Sequence, residues 1–277
     1  MDQAEQLRII KASQQVRPLA RVITVTSGKG GVGKSNTSIN LAIQFRKMEK
    51  RVIILDADFG LANIEIMFGA VPKHNLCDLI YQGKNIKDII TWGPMDVGFI
   101  SGGSGIAGMS NLSRDYLNYI IQNLAQLDSI ADIIIVDTGA GISDAVLEFL
   151  VASGEILLVT TPEPTSITDS YSLLKALYRH PRFEESATKV KMVANRVAKE
   201  SEGQILFDKL NAVVSRYLKI PMTYLGCVPE DAQLPRSVMQ QTPVSMLNPT
   251  AKASLAYETM AARLLGKEES ERQPKRG

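Results

Sequence analysis

At 277 residues with 45% hydrophobic content, the chain can bury a large core as one α/β domain. Its net charge of +2 gives no reason to expect nucleic acid or an anionic membrane as the main partner. Cys77 and Cys227 lie far apart and only His74 and His180 accompany them, which argues against a disulfide framework or a dedicated zinc or iron–sulfur site and fits a reduced, cytosolic protein.

The chain begins "MDQAEQLRIIKASQQVRP", with charges where a secretory signal would be apolar. No run of about 18 apolar residues follows anywhere, so the expectation is a protein neither exported nor membrane-spanning. The first strand is expected over Val22–Thr26 and the first helix over Asn36–Met48, with "SGKGGVGKSN" between them. Gly28, Gly33, Lys34 and Ser35 fit G-x-x-x-x-G-K-[ST], a phosphate-binding loop when strand and helix flank it, as they do here. In such a loop successive N–H groups face the phosphates, Lys34 would reach the β- and γ-phosphates, and the Ser35 hydroxyl would bind Mg²⁺.

The second strand, Arg51–Asp56, ends "LDADFGLAN" and delivers Asp56 and Asp58 to the same edge, where one carboxylate can help hold a metal and the other can orient a water. Further strands are expected over Val97–Ser101, Ile133–Asp137, Ile156–Thr160, Lys189–Asn195 and Met222–Val228. Helices are expected over Arg114–Leu127, Ser143–Ala152, Ser166–Arg179, Glu202–Leu218 and Pro249–Leu265. Apolar strands alternating with amphipathic helices imply an α/β fold with a mostly parallel β-sheet flanked by helices on both faces. Asp137 ends the apolar run "IIIVD" as a Walker B carboxylate would, and "TGAG" after it is placed to move when a γ-phosphate is lost.

Together "GKGGVGKS", "LDADFGLAN" and "VDTGAG" resemble the deviant Walker A ATPases of the MinD/ParA group, a branch of the P-loop NTPases. The resemblance gives Lys29 the role of a signature lysine that crosses to the phosphates of an opposing subunit. It makes Asp58 the residue that positions the hydrolytic water and puts Asp137 near the Mg²⁺ and its waters, where Ser35 and Asp56 are already expected. It extends the ATP site to Gly28, Lys29, Gly30, Gly31, Val32, Gly33, Lys34, Ser35 and Asn36, to Asn195 as an adenine contact, and to Pro229 and Asp231 of a second base-binding segment. It also implies a homodimer with ATP and a monomer with ADP.

Within the group, "DQAEQLR" is similar to the D-Q-A-x-x-L-R element of the flagellum-number regulators, the FlhG or FleN type, which activates the SRP-type GTPase FlhF. Asp2, Gln3, Leu7 and Arg8 would carry that contact, Gln3 by orienting a water in the partner. Flagellar rotor proteins and a flagellar transcription regulator are the other partners the resemblance implies. Residues 1–18 are then a partner-activating segment, 19–266 the ATPase domain and 267–277 a hydrophilic tail. A MinD-type division regulator and an ATP-dependent carrier or scaffold are the alternatives. MinD relatives often end in an amphipathic membrane helix; here Leu255–Leu265 is alanine-rich and reads mainly as a core helix, with peripheral membrane contact a secondary expectation.

Overall fold

The computed structural model describes residues 19–59, 63–103 and 112–266. Its strands and helices follow one another as β1 (Arg21–Ser27), α1 (Lys34–Lys47), β2 (Val52–Ala57), α2 (Asn63–Phe68), α3 (Leu76–Gln82), β3 (Thr91–Trp92), β4 (Gly98–Ile100), α4 (Arg114–Leu124) and β5 (Ile133–Ala140). Then come α5 (Asp144–Ala152), β6 (Glu155–Thr160), α6 (Pro164–Tyr178), β7 (Lys189–Val197), α7 (Glu200–Tyr217), β8 (Met222–Pro229), α8 (Gln233–Met239), α9 (Val244–Leu247) and α10 (Lys252–Leu264).

The eight strands form one sheet in the order β3-β4-β2-β5-β1-β6-β7-β8. Every pairing is parallel except β3 with β4. The central strands read as unbroken apolar runs because both faces are covered. Ile54 and Val52 pack with Ile39, Ile43 and Tyr257 of α1 and α10 on one face, while Ile53 and Leu55 pack with Leu117 and Ile120 of α4 on the other. A third cluster joins β6 and β7 to α5, α6 and α7.

Some expectations needed adjustment. The helix expected to Leu127 is α-helical only to Leu124 and continues as a 3₁₀ turn to Ser129, and α10 starts at Lys252 rather than Pro249. Helices α2, α3, α8 and α9 were not anticipated, since four to seven residues are too few for a helical period to register. A capping box still marks α3: Asn75 Oδ1 accepts from Cys77 N and Asp78 Oδ2 from Asn75 N. Helix α10 buries Ala253, Tyr257, Met260, Ala261 and Leu264 against the sheet and α1, as a core helix does. Among the described residues, no helix is long and apolar enough to cross a membrane.

Candidate nucleotide site

The carboxyl ends of β1, β2, β5, β7 and β8 converge, which is where open parallel sheets bind ligands. The loop after β1 is shaped by its glycines. Gly31 and Gly33 have φ of 73° and 99°, in the left-handed region that suits residues without a Cβ. A Cβ on Gly28 would lie 2.1 Å from the Asp169 carbonyl carbon, so α6 passes directly against the loop. Gly30, Gly31, Gly33, Lys34, Ser35 and Asn36 line a cavity of about 600 Å³ together with Asp58, and the amino end of α1 opens into it. Val32 is buried in the core beneath.

Asp56 and Asp137 are register partners on β2 and β5, and both are fully buried. Asp137 Oδ1 accepts from Ser38 Oγ at 2.7 Å, whereas its Oδ2 is buried without a hydrogen-bond partner. Burial pushes the Asp137 carboxyl above its usual range despite the pull of the nearby Ser35 and Ser38 hydroxyls and of the Lys34 charge. An orphaned buried carboxylate oxygen beside the Ser35 hydroxyl fits Mg²⁺ or its waters, and nucleotide-bound Mg²⁺ needs few protein ligands. Asp56 is placed differently: its two oxygens accept from Asp58 N and Ile64 N, both at 3.2 Å, so it shapes the turn after β2. Burial, then the Asp137 charge, push its carboxyl well up.

Asp58 lines the cavity, with Oδ1 3.6 Å from the position of a Cβ on Gly139. The "TGAG" segment lies beside it. Gly141 N donates to Ser27 O at 3.0 Å and Thr138 Oγ1 to Val25 O at 3.2 Å, tying that segment to the phosphate loop's own strand.

Lys29 is turned toward α6. Its Nζ meets Glu163 Oε2 at 2.6 Å and Thr165 Oγ1 at 2.9 Å, and both sides of this pair are solvent-accessible. The Lys29 hydrogen bond and charge hold the Glu163 carboxyl below its usual range.

A second cavity of about 570 Å³ adjoins the first, sharing Gly33, Asn36, Arg196 and Val238 with it. Asn195, Pro229 and Asp231 line it, so the structure brings all three base-site candidates together. Asn195 Nδ2 donates to Val32 O at 2.6 Å, and its buried Oδ1 has no partner, which leaves an acceptor for a base amino group. Asp231 has both oxygens engaged, by Gln233 N at 2.8 Å and Ala253 N at 3.0 Å, so its carboxylate braces the loop against α10. Asp2, Gln3, Leu7 and Arg8 lie outside the described residues.

Sequence reasoning missed Ser38, Glu163, Thr165 and Arg196. Ser38 lies nearly one helical turn beyond Ser35 and its spacing could have been read; Glu163 and Thr165 are joined to the loop by strand order, and Arg196 by strand order and an irregularity in the β7–β8 pairing.

A glycine loop between a buried strand and a helix, with a buried carboxylate on the strand adjoining β1, is the arrangement of a P-loop nucleoside triphosphatase. The profile described as "ParA: NUBPL iron-transfer P-loop NTPase" matches residues 18–265, and the chain belongs to this ParA/MinD family of P-loop NTPases. It is 39% identical over 244 residues to the antiactivator FleN of Pseudomonas aeruginosa, covering 88% of this chain and 86% of that protein. It is 32% identical over 252 residues to the flagellum site-determining protein YlxH of Helicobacter pylori, covering 90% and 83%. The septum site-determining protein MinD of Pyrococcus horikoshii, solved with Mg-ADP, has the same fold, with a TM-score of 0.74 at 21% identity over 92% of this chain and 100% of that one.

Proposed function

We propose that the chain is an ATP-hydrolysing dimerisation switch that controls flagellar number and placement in the cytoplasm. The flagellar relatives and the family's nucleotide chemistry support this reading. The observation that carries the switch is the position of Lys29. It is held by Glu163 and Thr165 at the surface of α6, away from its own phosphate cavity and free to be offered to another subunit. An exposed ion pair is weak in water, so a facing subunit's phosphates can outcompete Glu163 for the ammonium. There Lys29 would neutralise charge developing on the transferred phosphoryl group.

In this reading Lys34 and the loop N–H groups bind the phosphates, and Ser35 and Asp137 would hold Mg²⁺ with its waters. Asp58 orients the attacking water, and Asn195 and the Pro229 loop receive the base. ATP closes the dimer, and hydrolysis returns the ADP-bound monomer. A metal carrier is disfavoured, because Cys77 and Cys227 sit in separate clusters on α3 and β8 rather than as a pair.

The N-terminal segment, Asp2–Arg8, would stimulate an SRP-type GTPase with Gln3 ordering its water and Leu7 docking. The test is GTP hydrolysis by that partner with a peptide spanning Met1–Val16. The wild-type peptide should accelerate hydrolysis and Gln3→Ala should lose about 10²-fold of that effect. Equal stimulation by both peptides removes Gln3 from the mechanism, and no stimulation by either favours the division-type regulator.

A further inference from the structure

Two neighbouring side chains at the end of β7 hold two neighbouring carbonyls of the phosphate loop. Asn195 Nδ2 donates to Val32 O at 2.6 Å, and an Arg196 guanidinium nitrogen donates to Gly31 O at 2.8 Å. A planar trans peptide points its C=O and the N–H of the next residue in opposite directions. Drawing these two carbonyls toward β7 therefore turns the N–H groups of Val32 and Gly33 the other way. Those are loop amides that a phosphate group must find.

The backbone around Arg196 is built for this reach. Asn195 pairs with Val228 and Val197 with Pro229, so β7 carries one residue more than β8 at this point and Arg196 is the extra one. Its φ is 57°, a left-handed conformation that L side chains rarely adopt. Such a bulge re-aims a side chain, and strained backbone at a site persists when the surrounding structure enforces it. Without the bulge, strand alternation would carry residue 196 away from the face that Asn195 uses. With it, Arg196 lines both halves of the cleft and still contacts the loop.

We propose that Arg196 is a positioning residue of the phosphate loop: a strap, carried on a β-bulge, that keeps the Gly31 carbonyl turned outward and so aims the loop amides before nucleotide arrives. This rests on the phosphate-loop reading of residues 28–35. Its distinguishing consequence concerns the β-phosphate, since the helix N-terminal amides beyond Gly33 remain available to an α-phosphate without the strap.

The experiment is calorimetric titration of the full chain and its Arg196→Gly and Arg196→Lys variants with AMP, ADP and Mg-ATP. Glycine adopts φ near 57° without strain, so Arg196→Gly should melt at or above the wild-type temperature. It should bind ADP and Mg-ATP about 10-fold more weakly, while AMP affinity changes less than about twofold. Arg196→Lys keeps the charge but not the planar fork and should recover only part of the loss. Unchanged ADP and ATP affinity in Arg196→Gly overturns the proposal. A uniform loss for all three nucleotides also overturns it, by placing the residue on the base or ribose, and full recovery with lysine does so by reducing it to a charge. Lys34→Ala serves as the control. If that variant keeps ATP affinity, the loop reading itself fails; if it loses binding while Arg196→Gly does not, only the strap fails.

Discussion

Asp137→Asn is expected to stabilise the nucleotide-free protein while removing its response to Mg-ATP. Asp56 and Asp137 are paired in register on adjacent strands, so their side chains leave the same face of the sheet with Cα atoms about 5 Å apart. Both are fully buried. Two full charges at about 5 Å in an effective dielectric of about 20 repel by about 3 kcal/mol. Part of that is already relieved, because burial and mutual repulsion raise the Asp56 carboxyl and burial raises that of Asp137, favouring protonation. An amide at position 137 removes the repulsion and still accepts from Ser38, so about 1–3 kcal/mol should be recovered. At about 2–4 °C per kcal/mol for a chain of this size, the melting temperature should rise by about 2–12 °C at pH 7.5.

The pH dependence follows from the sign of the shift. A carboxyl whose folded pKa is raised costs nothing below its unfolded value of about 3.9, and the cost grows as pH rises through the folded value. The advantage of the variant should therefore shrink on acidification and vanish near pH 4. Mg-ATP at a hundred times its Kd stabilises a binding-competent chain by about 2.7 kcal/mol. The variant should lose most of this, because the buried oxygen without a partner is gone. Scanning fluorimetry with and without Mg-ATP at pH 5 and 7.5 measures both effects. A variant that melts below wild type at pH 7.5 without nucleotide would exclude repulsion between the two carboxyls, and one that keeps the full Mg-ATP shift would exclude a metal contact at Asp137.

Lys29→Ala should leave ATP affinity within about threefold, because the side chain is committed to Glu163 and Thr165 rather than to its own cavity, yet abolish ATP-dependent dimerisation. Titration calorimetry and light scattering on the same sample separate the two. Glu155 accepts from Arg21 at 2.7 and 2.8 Å and faces Lys191 Nζ at 2.7 Å; burial pushes its carboxyl up, but these partners outweigh it and hold it low. Its stabilisation is thus present above about pH 4.5 and lost as pH falls through the lower folded value. Glu155→Gln should cost about 2–4 kcal/mol in urea unfolding at pH 7, with the difference narrowing by pH 3.5.

The convergence of Gly28–Ser35, Asp58 and Asp137 on one edge of the sheet was legible from the sequence. Gly28–Ser35, Asp58 and Asp137 each sit at the end of an apolar strand, and parallel topology forces those ends together. Partnerships that depend on strand order were not. Glu163 meets Lys29 because β6 lies directly beside β1, which brings α6 against Gly28. Arg196 reaches Gly31 through a bulge that depends on the length mismatch with β8, and nothing within "VANRV" announces it. Asp231 illustrates the converse: its place in the second cavity agrees with the reading of its loop, but both oxygens are taken by backbone amides, one of which only the packing of α10 supplies. Short helices such as α8 and α9 escaped because they complete less than the two turns a periodic pattern requires.

The most direct test of the switch is the mass of the Asp58→Ala chain by analytical ultracentrifugation in Mg-ATP and in Mg-ADP. Asp58 lines the phosphate cavity without bracing the loop, so its loss should spare binding and slow only the attack of water. A stable dimer is expected in Mg-ATP and a monomer in Mg-ADP; the same mass in both nucleotides would rule out a nucleotide-dependent switch.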